Sequence, residues 1–203
     1  MTSGHSPGDV HGLVLFPGAG SGADHPGLLA IEAAAPCPVA RVDFAYRLEG
    51  RRFPDRAPTL VAEVASAVAA AAARWQTDPA RLVVGGRSMG GRMASMALAE
   101  GAVEAAGLVL VSYPLHPPKK PEKLRTAHLG KVAVPTLFVS GDRDSFGTPD
   151  ELVAAHRMVG GPVSAEWIEG GRHELKRVGD HADVADRVAA WLRGDPSNAG
   201  ASG

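Results

Sequence analysis

The chain has 203 residues, 45% hydrophobic and 21% charged, which suffices for one well-buried core and is too short for two comfortable domains. Its 21 basic and 22 acidic residues are spread along the sequence and leave a formal net charge of -1, so no electrostatic field favours nucleic acid or an anionic membrane as partner. The single cysteine, Cys37, allows no internal disulfide, and the opening residues lack a basic cluster followed by an apolar run; both set the expectation of a cytoplasmic protein.

In chain order, residues 1–10 are polar and rich in Gly, Ser and Pro, the composition of a flexible end. Gly12–Phe16 reads as a first buried strand that breaks into Pro17-Gly18-Ala19-Gly20-Ser21-Gly22. Cys37, between two prolines, reads as a half-buried small hydrophobe, and Val39–Phe44 as a second strand. Pro58–Trp75 is a helix with proline in its first turn. Its Leu60, Val61, Val64, Val68, Ala71 and Trp75 recur at helical spacing, which assigns Trp75 to the core. The same run, broken by Glu63, Ser66 and Arg74, is too short and too polar to span a membrane. Leu82–Gly85 is a third strand, Met89–Glu100 a helix and Gly107–Ser112 a fourth strand. A Pro- and Lys-rich connection from Tyr113 to Gly130 follows, too short for a separate cap domain. Strands Val134–Ser140 and Val163–Ile168 flank a helix over Pro149–Val159, and the helix Asp180–Arg193, with Trp191 as a core residue, ends at Gly194. Residues 195–203 read as a disordered tail, which leaves 11–194 as one domain.

Short apolar runs without strict alternation, separated by longer periodic ones, specify βαβ units. The expected fold is α/β: about six mostly parallel strands with helices on both faces.

The strongest local signal is Gly86-Arg87-Ser88-Met89-Gly90, directly after a strand and directly before a helix. A nucleophile elbow needs this context, because the serine backbone is strained and its neighbours approach the adjoining strand and helix closely. The bland reading is a Gly-rich turn with a capping serine; the flanking elements favour the elbow. An acyl-transfer site also needs two N–H donors aimed at an oxyanion. Met89 supplies one, and Ala19 or Gly20 on the early loop the other. That loop lacks the spacing of a dinucleotide or phosphate cradle, so no cofactor is expected.

The strand ending at Gly141 presents two carboxylates, Asp142 and Asp144. Asp144 lies further into the loop and is the better partner for an imidazole, whereas Asp142 fits a turn residue bonding its own backbone. The last strand ends in Glu169-Gly170-Gly171-Arg172-His173, which sets His173 above His116, His128, His156 and His181 as general base. Ser, Asp, His is also the chain order in which a triad occurs on this kind of sheet. Tyr113, Leu115 and His116 begin at a strand's carboxyl end and are candidates to line an acyl pocket; a rigid surface loop explains them equally well. Arg87 and Arg92 flank the serine and suit either an anionic substrate or a structural salt bridge. No His or Cys pair stands at metal-ligand spacing, so no metal is expected.

These segments resemble the α/β-hydrolase superfamily, and within it the dienelactone-hydrolase-related branch of testis-expressed hydrolase-like proteins and the third subunit of the NSL chromatin complex. The resemblance rests on Gly85-Gly86-Arg87-Ser88-Met89-Gly90-Gly91-Arg92-Met93-Ala94-Ser95, on Tyr113-Pro114-Leu115-His116-Pro117-Pro118 with Pro121 through Leu129, and on Pro135 through Thr148; it covers most of Gly12 to Arg193. It implies a triad of Ser88, Asp144 and His173. One departure stands out: the early loop of the family usually opens His-Gly-Ala-Gly, and Pro17 replaces that histidine here. Two functions follow as expectations, a serine hydrolase acting on a small-molecule acyl substrate, or a non-catalytic protein that keeps the fold for binding. Dienelactone hydrolases are expected to carry cysteine at the elbow, and Ser88 argues against that activity. Oligomeric state is not legible.

Overall fold

The computed structural model describes residues 9–195; the flexible ends expected at 1–10 and 195–203 lie outside that range except for residues 9, 10 and 195. Six strands form one sheet: β1 (Gly12–Phe16), β2 (Val39–Arg41), β3 (Leu82–Arg87), β4 (Gly107–Val111), β5 (Thr136–Gly141) and β6 (Val163–Ile168). Their order is β2-β1-β3-β4-β5-β6 and every adjacent pair is parallel. Six helices accompany them: α1 (Pro26–Ala34), α2 (Ala45–Leu48), α3 (Ala57–Trp75), α4 (Met89–Ala99), α5 (Pro149–His156) and α6 (Asp180–Arg193).

Side-chain alternation along the strands divides the core into two layers. Val14, Phe16, Val84, Leu108, Leu110 and Phe138 pack with Val64 and Val68 of α3, Met93 and Ala94 of α4 and Leu152 of α5. Leu13, Leu15, Val83, Val109, Leu137 and Val139 pack on the opposite face with Leu28 and Ile31 of α1 and Val184 and Val188 of α6. The central strands are buried on both sides, which explains why their sequences are continuous apolar runs. Each such side chain contributes about 1.5–3 kcal/mol through removal from water.

Two differences from the sequence expectation have clear causes. Helix α1 was not expected, because its N-cap is His25, whose Nδ1 accepts from the Gly27 N–H at 3.1 Å, outside the usual Ser, Thr, Asp and Asn set. The second strand, expected to reach Phe44, pairs with β1 only through Arg41; the chain then turns so that Phe44 stacks on Phe16 at 5.4 Å and Tyr46 follows it inward. Among the described residues no helix is long and apolar enough to cross a membrane. The link from β4 to β5 carries no α-helix, and among the described residues no cap covers the carboxyl end of the sheet.

Candidate active site

Ser88 links β3 directly to α4 with φ 50° and ψ -115°, a left-handed backbone that a residue with a Cβ rarely adopts. Its N–H donates to the Val111 carbonyl at 2.8 Å, so the neighbouring strand holds the turn in place. The flanking glycines make room for it. A Cβ on Gly86 would overlap the Phe16 carbonyl, and one on Gly90 would overlap the carbonyls of Phe16 and Pro17. Helix α4 can therefore press its amino end onto β1; Met89 opens it, has a first-turn N–H without a partner inside the helix, and lines the space in front of Ser88.

The loops after β5 and β6 are tied together by backbone: Asp142 N–H donates to the Ile168 carbonyl at 3.2 Å and Arg143 N–H to the Gly171 carbonyl at 2.9 Å. This brings Asp144 beside His173. The imidazole Nδ1 lies 2.8 Å from Asp144 Oδ2, while Oδ1 of the same carboxylate accepts the Phe146 N–H at 2.8 Å. On its other side, His173 Nε2 lies 2.9 Å from Ser88 Oγ. Of the two aspartates only Asp144 hydrogen-bonds the imidazole; Asp142 Oδ1 is buried without a partner. Asp144 and His173 are 3% and 7% exposed, so water competes little for either hydrogen bond.

Two further contacts fix the imidazole. The Phe146 ring stacks on it with centroids 3.9 Å apart, and Arg87 Nη2 donates both to the His173 carbonyl at 3.1 Å and to Glu174 Oε2 at 2.7 Å. Arg87 thus forms the structural ion pair, one of the two roles open to it from sequence.

A cleft of about 540 Å³ opens in front of Ser88. Ala19, Gly20, Met89, Arg87 and His173 line it, and Tyr46 Oη donates to the Ala19 carbonyl at 2.9 Å, which ties the early loop to the body of the fold. Tyr113, Leu115 and His116 do not line it. Tyr113 and Leu115 belong to the core, each 1% exposed, and His116 is buried with Nε2 3.3 Å from Glu151 Oε2. The same connection contributes Pro114 and Arg125 instead, because Tyr113 points inward and its hydroxyl donates to the Arg125 carbonyl at 2.7 Å. Burial pushes the Tyr113 hydroxyl up to about 12, so it remains a donor. Sequence reasoning missed Arg125, Pro114 and Phe146 as lining residues. Only Phe146 left a signal, two positions past Asp144. Among the described residues, no group of three His, Cys, Asp or Glu side chains is placed to hold a metal ion.

The arrangement is a hydroxyl, an imidazole and a carboxylate in one hydrogen-bonded line, beside a cleft lined by Ala19, Gly20 and Met89, the equipment for nucleophilic attack on a polarised carbonyl. Residues 9–190 match a family model described as an alpha/beta hydrolase domain. Among solved structures, the chain is similar to an alpha-beta serine hydrolase homologue from Coxiella burnetii, at 17% identity and TM-score 0.72 over 91% of this chain and 85% of that one. It is also similar to a dienelactone hydrolase from Anabaena variabilis, at 19% identity and TM-score 0.72 over 95% and 90%. Est1E from Butyrivibrio proteoclasticus matches at 15% identity and TM-score 0.71 over 91% and 88%. At these identities the likeness is one of fold.

Proposed function

The chain belongs to the alpha/beta hydrolase family, and from that premise we propose that it is a serine hydrolase that cleaves a small carboxylic ester or related acyl compound through an acyl-enzyme. One observation carries the reading: the unbroken hydrogen-bonded line from Ser88 Oγ through His173 to Asp144, at 2.9 and 2.8 Å. A hydroxyl has no comparable reactivity at neutral pH without a base held this close.

In the proposed reaction His173 Nε2 takes the proton of Ser88 as Oγ attacks the acyl carbon. Asp144, accepting from Nδ1–H, holds the imidazole in the tautomer that leaves Nε2 free to receive it and stabilises the imidazolium that forms. The carbonyl oxygen becomes an oxyanion facing the N–H of Met89 and that of Ala19 or Gly20. Collapse of the tetrahedral species breaks the acyl–oxygen bond, and the alcohol departs with the proton from His173. Water, deprotonated by the same imidazole, then attacks the acyl-enzyme, releases the acid and returns the proton to Ser88.

The neighbours described as a serine hydrolase homologue and a dienelactone hydrolase support hydrolysis as the reaction class. The motifs at Gly85–Ser95 and Tyr113–Leu129 support kinship with the branch of testis-expressed hydrolase-like proteins, and the single cysteine supports a cytoplasmic setting. The test is labelling with a fluorophosphonate probe. Wild type labels, Ser88→Ala does not, and His173→Ala labels more slowly. Failure of the folded wild type to label would overturn the reading in favour of a binding protein on a hydrolase frame.

A further inference from the structure

The cleft in front of Ser88 carries an excess of positive charge. Three arginines line it, Arg87, Arg92 and Arg125, against one acidic residue, Glu174, whose carboxylate already pairs with Arg87 at 2.7 Å. Among the described residues no carboxylate pairs with Arg92 or Arg125. Arg92 Nε is buried without a hydrogen-bond partner, and Arg125 reaches only the Pro114 carbonyl, at 3.3 Å. The other ionisable neighbours offer no compensation. Burial and the charge of Arg92 push the His128 imidazole down to about 4, so it is neutral and engaged with Ser95 Oγ at 2.8 Å, and Tyr113 keeps its proton. Burial, with the repulsion of Arg92 added, also holds Arg125 below its ordinary value. Two half-buried cations set side by side without a counter-ion cost the fold stability, and an anion arriving from solvent removes that cost.

The position of the pair relative to Ser88 sets what that anion is attached to. Arg92 lies one turn beyond Ser88 on α4, its N–H donating to the Ser88 carbonyl at 3.1 Å. One turn is about 5.4 Å along the axis. Building on the hydrolase reading above, we propose that Arg92 and Arg125 form a carboxylate-binding subsite, and that the substrate is an ester whose acyl half carries a second carboxylate, for which a glutarate half-ester serves as probe. The planar fork of a guanidinium matches a carboxylate in two parallel hydrogen bonds, which fixes the acyl chain in the cleft with its carbonyl at Ser88 Oγ.

The experiment compares three esters on the full chain: 4-nitrophenyl hydrogen glutarate, its neutral counterpart 4-nitrophenyl methyl glutarate, and acetoxyacetate, which carries its charge on the alcohol side. The wild type is expected to favour the first over the second in kcat/KM by about tenfold or more. That ratio is expected to collapse toward one in Arg92→Gln and Arg125→Gln and to survive in part in Arg92→Lys, which keeps the charge and loses the fork. Hydrolysis of the esters with no preference for the acid, or a preference for acetoxyacetate over the hemi-glutarate, overturns the subsite. Calorimetric titration with glutarate separates this inference from the hydrolase reading. Arg92-dependent binding in a protein that hydrolyses none of the esters sustains the subsite and removes the reaction; turnover without such binding does the reverse.

Discussion

Arg87, the residue immediately before Ser88, donates from Nη2 to the backbone carbonyl of His173 at 3.1 Å. The strand that delivers the hydroxyl therefore also holds the loop that delivers the imidazole, two segments 86 positions apart in the chain. Glu174 Oε2 accepts from the same nitrogen, but its side chain is half exposed, whereas that of Arg87 is buried. Replacing Arg87 by Met is expected to lower kcat on a neutral ester by about tenfold with little change in KM, because the loop loses its anchor. Glu174→Gln is expected to change kcat less than about twofold. Equal effects of the two substitutions would show that the ion pair, and not the carbonyl contact, positions the loop.

Asp144 is the aspartate within hydrogen-bonding distance of the imidazole, and Asp142 is not. Asp144→Asn is expected to cost on the order of 10³–10⁴ in kcat, because an amide at that place favours the wrong imidazole tautomer. Asp142→Asn is expected to stay within about threefold of wild type. Steady-state kinetics on a chromogenic ester reads both, and the reverse ranking would reassign the acid.

The glycines of the site differ sharply in what surrounds them. A methyl group on Gly90 would overlap two backbone carbonyls on β1 and the loop after it, and backbone cannot yield as a side-chain tip can. A methyl group on Gly20 meets nothing within 4 Å. Gly90→Ala is expected to destabilise the fold by about 3 kcal/mol or more, and Gly20→Ala by less than about 0.5 kcal/mol. Urea unfolding measures both. A stable Gly90→Ala protein would mean that α4 does not press on β1 as described.

Acid weakens the fold through His156, which sits between Phe138, at 4.3 Å, and Trp167, with a buried Nε2 lacking any partner. Burial pushes its imidazole from 6.5 down to about 4. Between those values the unfolded chain binds a proton that the folded chain refuses. Stability is therefore complete above 6.5 and falls as pH drops toward 4, by about 1–3 kcal/mol for this residue. His156→Phe is expected to flatten that decline in urea midpoints taken from pH 7 to pH 4.5, about the lower end of the window. An unchanged slope would exonerate His156.

The open carboxyl end of the sheet bears on chain length. The link between β4 and β5 carries only a 3-10 turn, Leu129–Lys131, where a cap would otherwise lie. Without a cover to exclude water from a long acyl chain, kcat/KM is expected to fall from butyrate to laurate esters. Faster turnover of laurate would contradict the short-chain preference.

Much of this architecture is legible in the sequence. The strand assignments needed only apolar runs of the right length, and the elbow needed only Gly86 and Gly90 around Ser88 between a strand and a helix. Boundaries shifted where side chains decide them: the fifth strand begins at Thr136 and not at Val134, since Pro135 has no N–H to give the ladder. Helix α5 stops at His156, three residues short of the expectation. Within the site, Ser88, Asp144 and His173 each follow a strand end, and strand ends are local signals. Arg125 and Pro114 arrive through a connection whose path depends on which way Tyr113 turns, and no periodicity encodes that. Tyr113, Leu115 and His116, which from sequence suit a pocket lining or a surface loop equally, are buried for the same reason: proximity to a strand's carboxyl end does not say whether a side chain faces the cleft or the core.

The left-handed backbone of Ser88 is imposed from outside, by Phe16 beneath the helix and by the Val111 carbonyl beside it. On a ribosome residue 88 emerges well before residues 111, 144 and 173, so for much of synthesis its side chain is an ordinary alcohol on a relaxed chain. On the proposed hydrolase reading, reactivity is then the last property the nascent molecule acquires. A product truncated before the final loop would never acquire it, however well its six strands assemble.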